Sequence, residues 1–230
     1  MSNEKRLESF RLADSLLPIG TDSVSYGLEQ FVNVGRVETA EEVRTLLETT
    51  LQQQHGKADL VALRAAYAAA SDRELSGVLD ADRRLAAVTL PAEFRESSTR
   101  TGSRLLSLQQ DLRADAGFLD EYARAVTEAE SPGNVAVVLG VVTAEARIPV
   151  REACLLACHE FVSAQLGAAQ RLLQLGHTDV QRALDDLRTP MVAAVDESET
   201  HALDDMCPFA PLVDVCSAEH ERAERRLFLS

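Results

Sequence analysis

The chain has 230 residues, 46% of them apolar, and carries a formal charge of −14 from 23 basic and 37 acidic side chains. That acid excess leaves no basic face for DNA, RNA or anionic lipid, and no apolar run nears the ~20 residues of a membrane span. The charged start MSNEKRLESF also lacks the apolar core of a signal peptide, so the expected setting is the cytoplasm, with neither nucleic acid nor membrane as a partner.

Lys5 and Lys57 are the lysines among those bases, and an acidic, lysine-poor surface suits a salt-rich cytoplasm, where screening removes self-repulsion. Aromatics make up 4% with no Trp, which leaves Ala, Leu and Val to fill the core. Four cysteines in such a chain suggest no disulfide framework.

In chain order, the first break in the helical pattern is LLPIGTDSVSYGLE, Leu16 to Glu29. Pro18 and Gly20 end one helix there, Ser23 or Ser25 can cap the next, and Glu29 falls in its first turns, where an acid is favourable. Thr39 with Glu42 reads as a capping box for a helix to about Gln54, with Val43, Leu46, Leu47 and Leu51 on one face. Ser71 with Glu74 offers a second box. Ser131 before Pro132 reads as an N-cap, with Val135, Val138, Leu139 and Val142 as the buried stripe that follows. Pro149 opens a helix through Leu155, Leu156, Phe161 and Leu166 to Leu173, which stops at Gly176. Thr178 with Gln181 begins another, carrying Val180, Ala183, Leu184 and Leu187 toward a break at Pro190. No Asn-Gly or Asp-Gly hairpin signal occurs between alternating β-branched residues.

The expected fold is therefore all-α: a single multi-helix bundle of about eight to ten helices over residues 1–215, followed by a tail, 216–230. Pro208 and Pro211 stop the helices ahead of SAEHERAERRLFLS, whose thin apolar stripe of Ala223, Leu227 and Phe228 makes a marginal isolated helix. The expectation is that it orders when a partner docks on it.

Catalytic signatures are missing from the sequence: there is no nucleophile elbow, phosphate loop, dinucleotide fingerprint, HExxH or CxxC pair, so a non-enzymatic role is expected. Cys154 and Cys158 beside His159 read as buried structural thiols. Cys216 and His220 would share a face if the tail were helical, with Cys207 and His201 upstream, as ligands suited to nickel or zinc. Their spacing matches no closed metal site, which leaves unrelated side chains or a transient nickel contact as the two readings.

The segments LLPIGTDSVSYGLE, ESSTRTGSRLLSL, GNVAVVLGVV, RLLQLGHTDVQ and HERAERRLFLS resemble, in this order, motifs of the UreF family of urease accessory proteins. LLPIGTDSVSYGLE is similar to the family's PIGGFSYSQGLE, with Thr21, Asp22 and Val24 departing from it. ESSTRTGSRLLSL, with Arg100, Gly102 and Leu105, resembles the family segment in which an Arg and a Gly precede a leucine-rich turn, and GNVAVVLGVV, with Gly140, resembles the start of its next core helix. RLLQLGHTDVQ is similar to RLxPLGQTxxQ, which places Arg171, Leu175, Gly176, Thr178, Asp179 and Gln181 on matching positions, with Gln174 and His177 as departures. HERAERRLFLS resembles the terminal HETQYSRLFRS at His220, Glu221, Arg226, Leu227, Phe228 and Ser230, while Leu229 departs.

The resemblance implies an all-α homodimer that is not an enzyme and holds no tight cofactor. It further implies a bridge between a UreD/UreH-type protein and a UreG-type GTPase for GTP-dependent delivery of nickel to apo-urease. Pro18, Gly20, Ser25, Tyr26, Gly27 and Glu29, with Arg171, become candidates for the GTPase side. Arg226, Leu227 and Phe228 become the tail anchor, with His220, Glu221 and Ser230 beside them. A helical nickel-binding storage or regulatory protein is the alternative, and a helical enzyme would need a pocket of convergent polar groups.

Overall fold

The computed structural model describes residues 2–14, 16–20, 25–113, 117–221 and 228. Among them it contains twelve α-helices, one π turn, one 3-10 turn and no strand, which bears out the all-α class. The helices are α1 (Asn3–Leu12), α2 (Leu28–Asn33), α3 (Ala40–Thr50), α4 (Asp59–Ser71), α5 (Leu75–Val88) and α6 (Ala92–Asp111). They continue as α7 (Phe118–Thr127), α8 (Val135–Glu145), α9 (Val150–Leu173), α10 (His177–Asp186), α11 (Arg188–Ser198) and α12 (Pro211–His220). The number exceeds eight to ten because short pieces such as α2 form where the sequence pattern shows only an interruption.

The centre of the bundle is α8 against α4, with α5, α6 and α9 around them. Ala136 to Ala144 of α8 are all buried, as expected of a helix that is apolar on every side. Gly140 lets the two backbones touch: a Cβ there would lie 2.5 Å from the Leu63 carbonyl oxygen. Gly102 does the same for α6, since its Cβ would collide with the Gly133 carbonyl.

Asp82, fully buried on α5, fixes the start of α8. Its carboxylate accepts from the Tyr122 hydroxyl at 2.9 Å, the Gly133 and Asn134 amides at 2.6 and 2.9 Å, the Asn134 side chain at 2.7 Å, and the Ser131 hydroxyl. Ser131 is thus no N-cap; it is drawn inward to the acid, and α8 begins only at Val135.

The Thr39–Glu42 capping box is present in full, and the Val43, Leu47 and Leu51 side chains are buried as expected. Ser71 makes no second box, because its hydroxyl donates back to Tyr67 O and α5 starts after Glu74. Thr178 lies inside α10, whose N-cap is Gly176. Pro190 does not end a helix: it sits buried in the first turn of α11, where a missing N–H costs nothing. Pro149 precedes α9, which ends at Leu173 as anticipated.

The helix that begins at Thr39 changes register before it ends. Residues Leu51–His55 form a π turn, and the widened backbone hands the Gln53 carbonyl to the Phe209 N–H at 2.9 Å.

Candidate functional site

The turn before α2 and the end of α12 meet, although they lie about 190 residues apart in the chain. Tyr26 and Gly27 both take left-handed backbone angles, φ 45° and 78°, in a turn closed by Leu28 N–H to Ser25 O at 2.9 Å. Gly27 accepts this readily; Tyr26, with a side chain, does so under strain. The conformation seats the Tyr26 ring 5.1 Å from Phe94 and 5.4 Å from Phe161 and starts α2 at Leu28. Gly27 rather than Ser25 is the N-cap, and Ser25 is fully buried.

Glu29 is 5% exposed and Glu93, in the first turn of α6, is 7% exposed, with His220 fully buried between them. His220 Nδ1 lies 2.8 Å from Glu93 Oε2, and its Nε2 lies 3.1 Å from Glu29 Oε2. A carboxylate only accepts, so the two contacts require two protons: an imidazolium, or a neutral ring with one protonated glutamate. Glu29 Oε2 also accepts from the Phe228 N–H at 2.9 Å. Glu221 Oε1 accepts from the amides of Ala92 and Glu93 at 2.9 and 3.2 Å, capping α6 where an acid is favoured by the helix dipole. The Arg171 guanidinium stands 4.8 Å from the centre of the Phe228 ring, a cation–π contact.

Several expectations change as a result. In the described part of the tail, α12 runs to His220 across the 215/216 boundary, and Cys216, Ser217, His220 and Phe228 are buried against the chain itself. The buried hydrogen-bonded charges supply what the thin apolar stripe could not. Phe228 meets Arg171 and Glu29 of its own chain, and Glu221 caps a helix of its own chain. Of the N-terminal candidates Pro18 is exposed, Gly20 and Tyr26 are half-buried, and Ser25, Gly27 and Glu29 are buried. Arg226, Leu227 and Ser230 lie outside the described residues.

Cys216 and His220 do share one helix, but both ring nitrogens of His220 face carboxylates, and burial pushes the Cys216 thiol up. Among the described residues no group of three or more His, Cys, Asp or Glu is arranged to hold a metal ion. Cys154 and Cys158 are buried free thiols, as expected, and Cys207 is exposed.

Sequence reasoning missed Glu93, which looks like one more first-turn acid until α12 is folded onto it. It also missed His55, Asp59 and Glu160. His55 Nδ1 lies 3.4 Å from Asp59 Oδ2, and its ring stacks on Phe161 at 5.0 Å. Burial alone would lower the His55 pKa, but Asp59 and Cys158 outweigh it and raise it to about 10.

Residues 37–188 match the UreF family model. The urease accessory protein UreF of Trichodesmium erythraeum (strain IMS101) is 29% identical, over 97% of this chain and 96% of that protein. The protein of the same name from Corynebacterium glutamicum (strain R) is 31% identical over 95% of each chain. Urease accessory protein UreF 1 of Brucella melitensis is 29% identical over 97% of this chain and 92% of its own length. The family match stops short of both halves of the Glu29–His220 junction, whereas the similarity to these relatives spans nearly the whole chain. The chain belongs to the UreF family of urease accessory proteins.

Proposed function

We propose that this chain works in the cytoplasm as a non-catalytic adaptor in urease maturation. As a homodimer it would join a UreD/UreH-type accessory protein to a UreG-type GTPase for GTP-dependent insertion of nickel into apo-urease. The observation that carries this reading is the two-sided character of α12. Its inner side is locked to the body through His220, while Phe209 just before it and Leu212 and Val215 on it are 69%, 57% and 53% exposed. A contiguous set of exposed apolar side chains on an anchored element is what a protein partner covers. The groove beside them, about 640 Å³, is walled by Phe31, Val37 and Leu46 and carries Arg36 and Glu42 at its edge, an apolar floor with a polar rim.

The GTPase side is assigned to the Pro18–Glu29 turn, with the exposed Arg171 nearby. In this arrangement Glu29 acts from inside, holding the turn to the C-terminal segment. A nickel store draws less support, because the His220 nitrogens are already engaged by Glu93 and Glu29.

The test is co-purification of this chain with the two accessory partners, alongside urease activation in cells. Leu212→Asp combined with Val215→Asp, both at exposed positions, should abolish capture of the UreD/UreH-type protein while far-UV circular dichroism stays helical. Undiminished capture by that variant overturns the assignment of that surface. Glu29→Ala should weaken urease activation with the fold retained; wild-type activation would return Glu29 to a purely structural role.

A further inference from the structure

A second set of polar groups lies apart from the Glu29–His220 junction, in a partly enclosed cavity of about 80 Å³ between the π turn, α4, α6, α8 and α9. Close-packed interiors seldom leave such space, and it exceeds what one water needs several-fold. Val135, Leu139 and Phe161 make much of the wall, and Tyr26 closes one side.

Tyr26, Thr50 and Thr101 line this space along with four further polar side chains. Gln54 Oε1 and His55 Nε2 are buried without a hydrogen-bond partner. Both come from the π turn, whose i→i+5 pairing takes in an extra residue and sets Gln54 and His55 at one cavity, and such turns concentrate at functional sites. Asp59 is engaged by His55 on its Nδ1 side at 3.4 Å, so that pair balances its own charge. Glu160, on α9, has no hydrogen bond or ion pair among the described residues, and burial alone raises its pKa to about 7. Gln54 Oε1 and the Glu160 carboxylate are therefore acceptors in this space to which the described residues supply no donor.

We propose that this cavity binds a small organic cation with several N–H donors, a guanidinium or primary ammonium group, with Glu160 as its counter-ion and Gln54 as a neutral acceptor. The room suits a head group and is too small for a nucleotide. The aromatic walls, Phe161 and Tyr26, favour a cation with an apolar stem. The strained Tyr26 turn gains a second purpose, since it sets the ring that walls the cavity.

Binding there is linked to a proton. Bringing a cation to Glu160 favours its ionised form, so near pH 7 each binding event releases part of a proton. The other titratable groups lining the cavity are Tyr26 from the turn, His55 from the π turn and Asp59 from α4; α6 and α8 contribute Thr101, Val135, Ala136 and Leu139.

The test is a titration of the full-length chain with methylguanidinium and with methylammonium, read by calorimetry at pH 7 in two buffers of different ionisation enthalpy. Nuclear magnetic resonance of ring-labelled Tyr and His follows in parallel. Saturable binding is expected, with shifts centred on Tyr26 and His55 and a buffer-dependent heat that reports proton release. Glu160→Gln, which keeps the shape, should weaken binding about tenfold or more and remove the buffer dependence. A short peptide bearing one arginine separates the sources: tighter binding than methylguanidinium assigns the site to a polypeptide side chain, equal or weaker binding to a free cation. Neutral N-methylurea binding as well as methylguanidinium, shifts that avoid Tyr26 and His55, or unchanged affinity in Glu160→Gln would each overturn the proposal.

Discussion

Asp82 and Glu29 are both carboxylates withdrawn from water, 0% and 5% exposed, yet they hold different things. Asp82 gathers neutral donors from one loop and from Tyr122, all within 52 residues of itself, and every one belongs to the core around α8. Glu29 takes its contacts from His220 and Phe228, close to the far end of the chain. The first acid therefore stabilises the bundle, while the second stabilises the attachment of one segment to it. Burial alone does not distinguish a structural acid from one that couples distant parts; the origin of its donors does.

The sharpest way to break this contrast is Asp82→Ala. It strands the Tyr122, Ser131, Gly133 and Asn134 donors in a dry core, and a loss on the order of 4 kcal/mol is expected across the whole bundle. Chemical denaturation followed by circular dichroism measures it; a midpoint like the wild type's would show that the loop re-pairs elsewhere.

His220→Ala should cost less, about 2 kcal/mol, and locally, because α12 can lift away and let Glu29 and Glu93 regain water. Hydrogen exchange should speed up in α12 and α2 and stay slow in α4 and α8. Faster exchange throughout the protein would erase the distinction between the two acids.

A third acid, Glu160, sharpens the comparison by having neither kind of support. Its carboxyl titrates near 7 in the folded chain against 4.5 when unperturbed, so between those values the folded state binds the extra proton. Its effect on stability thus worsens as pH rises from about 4.5 to 7 and is complete above that. Glu160→Gln should raise the melting temperature at pH 8 and leave it unchanged at pH 4, as thermal melts would reveal; equal effects at both would remove the burial argument.

At the small end, Arg151 joins Asp196 at 2.6 Å and Glu199 at 3.3 Å, with nearly half of its side chain in solvent. Arg151→Ala should change stability only slightly, and less still in high salt. A larger loss in the same denaturation assay would mean that the α9–α11 seam depends on this network.

Much of the scaffold was legible beforehand, because helix periodicity and capping act within a turn or two of the chain. Thr39 and Glu42, the long helix after Pro149, and the apolar stripe of α8 all follow from neighbours in sequence. Ser131 and Ser71 misled for the same reason: each has a local capping pattern, but Asp82 outbids the helix for the first and the preceding turn takes the second. Local rules were also enough to mark Leu16 to Glu29 and the terminal segment as unusual, through Pro, Gly and charge.

What these segments do to each other was decided by tertiary structure. A histidine in an acidic tail, a glutamate after a glycine and a glutamate at the start of α6 are three ordinary residues until α12 brings them within about 3 Å. The π turn is equally silent in sequence, since LQQQH continues a helical pattern, and only the packed bundle shows Gln54 and His55 turned toward one cavity. Residue types and spacing determine which elements form, because propensity and capping are short-range. Which buried charges meet depends on contacts across nearly the whole chain, and no local pattern encodes them.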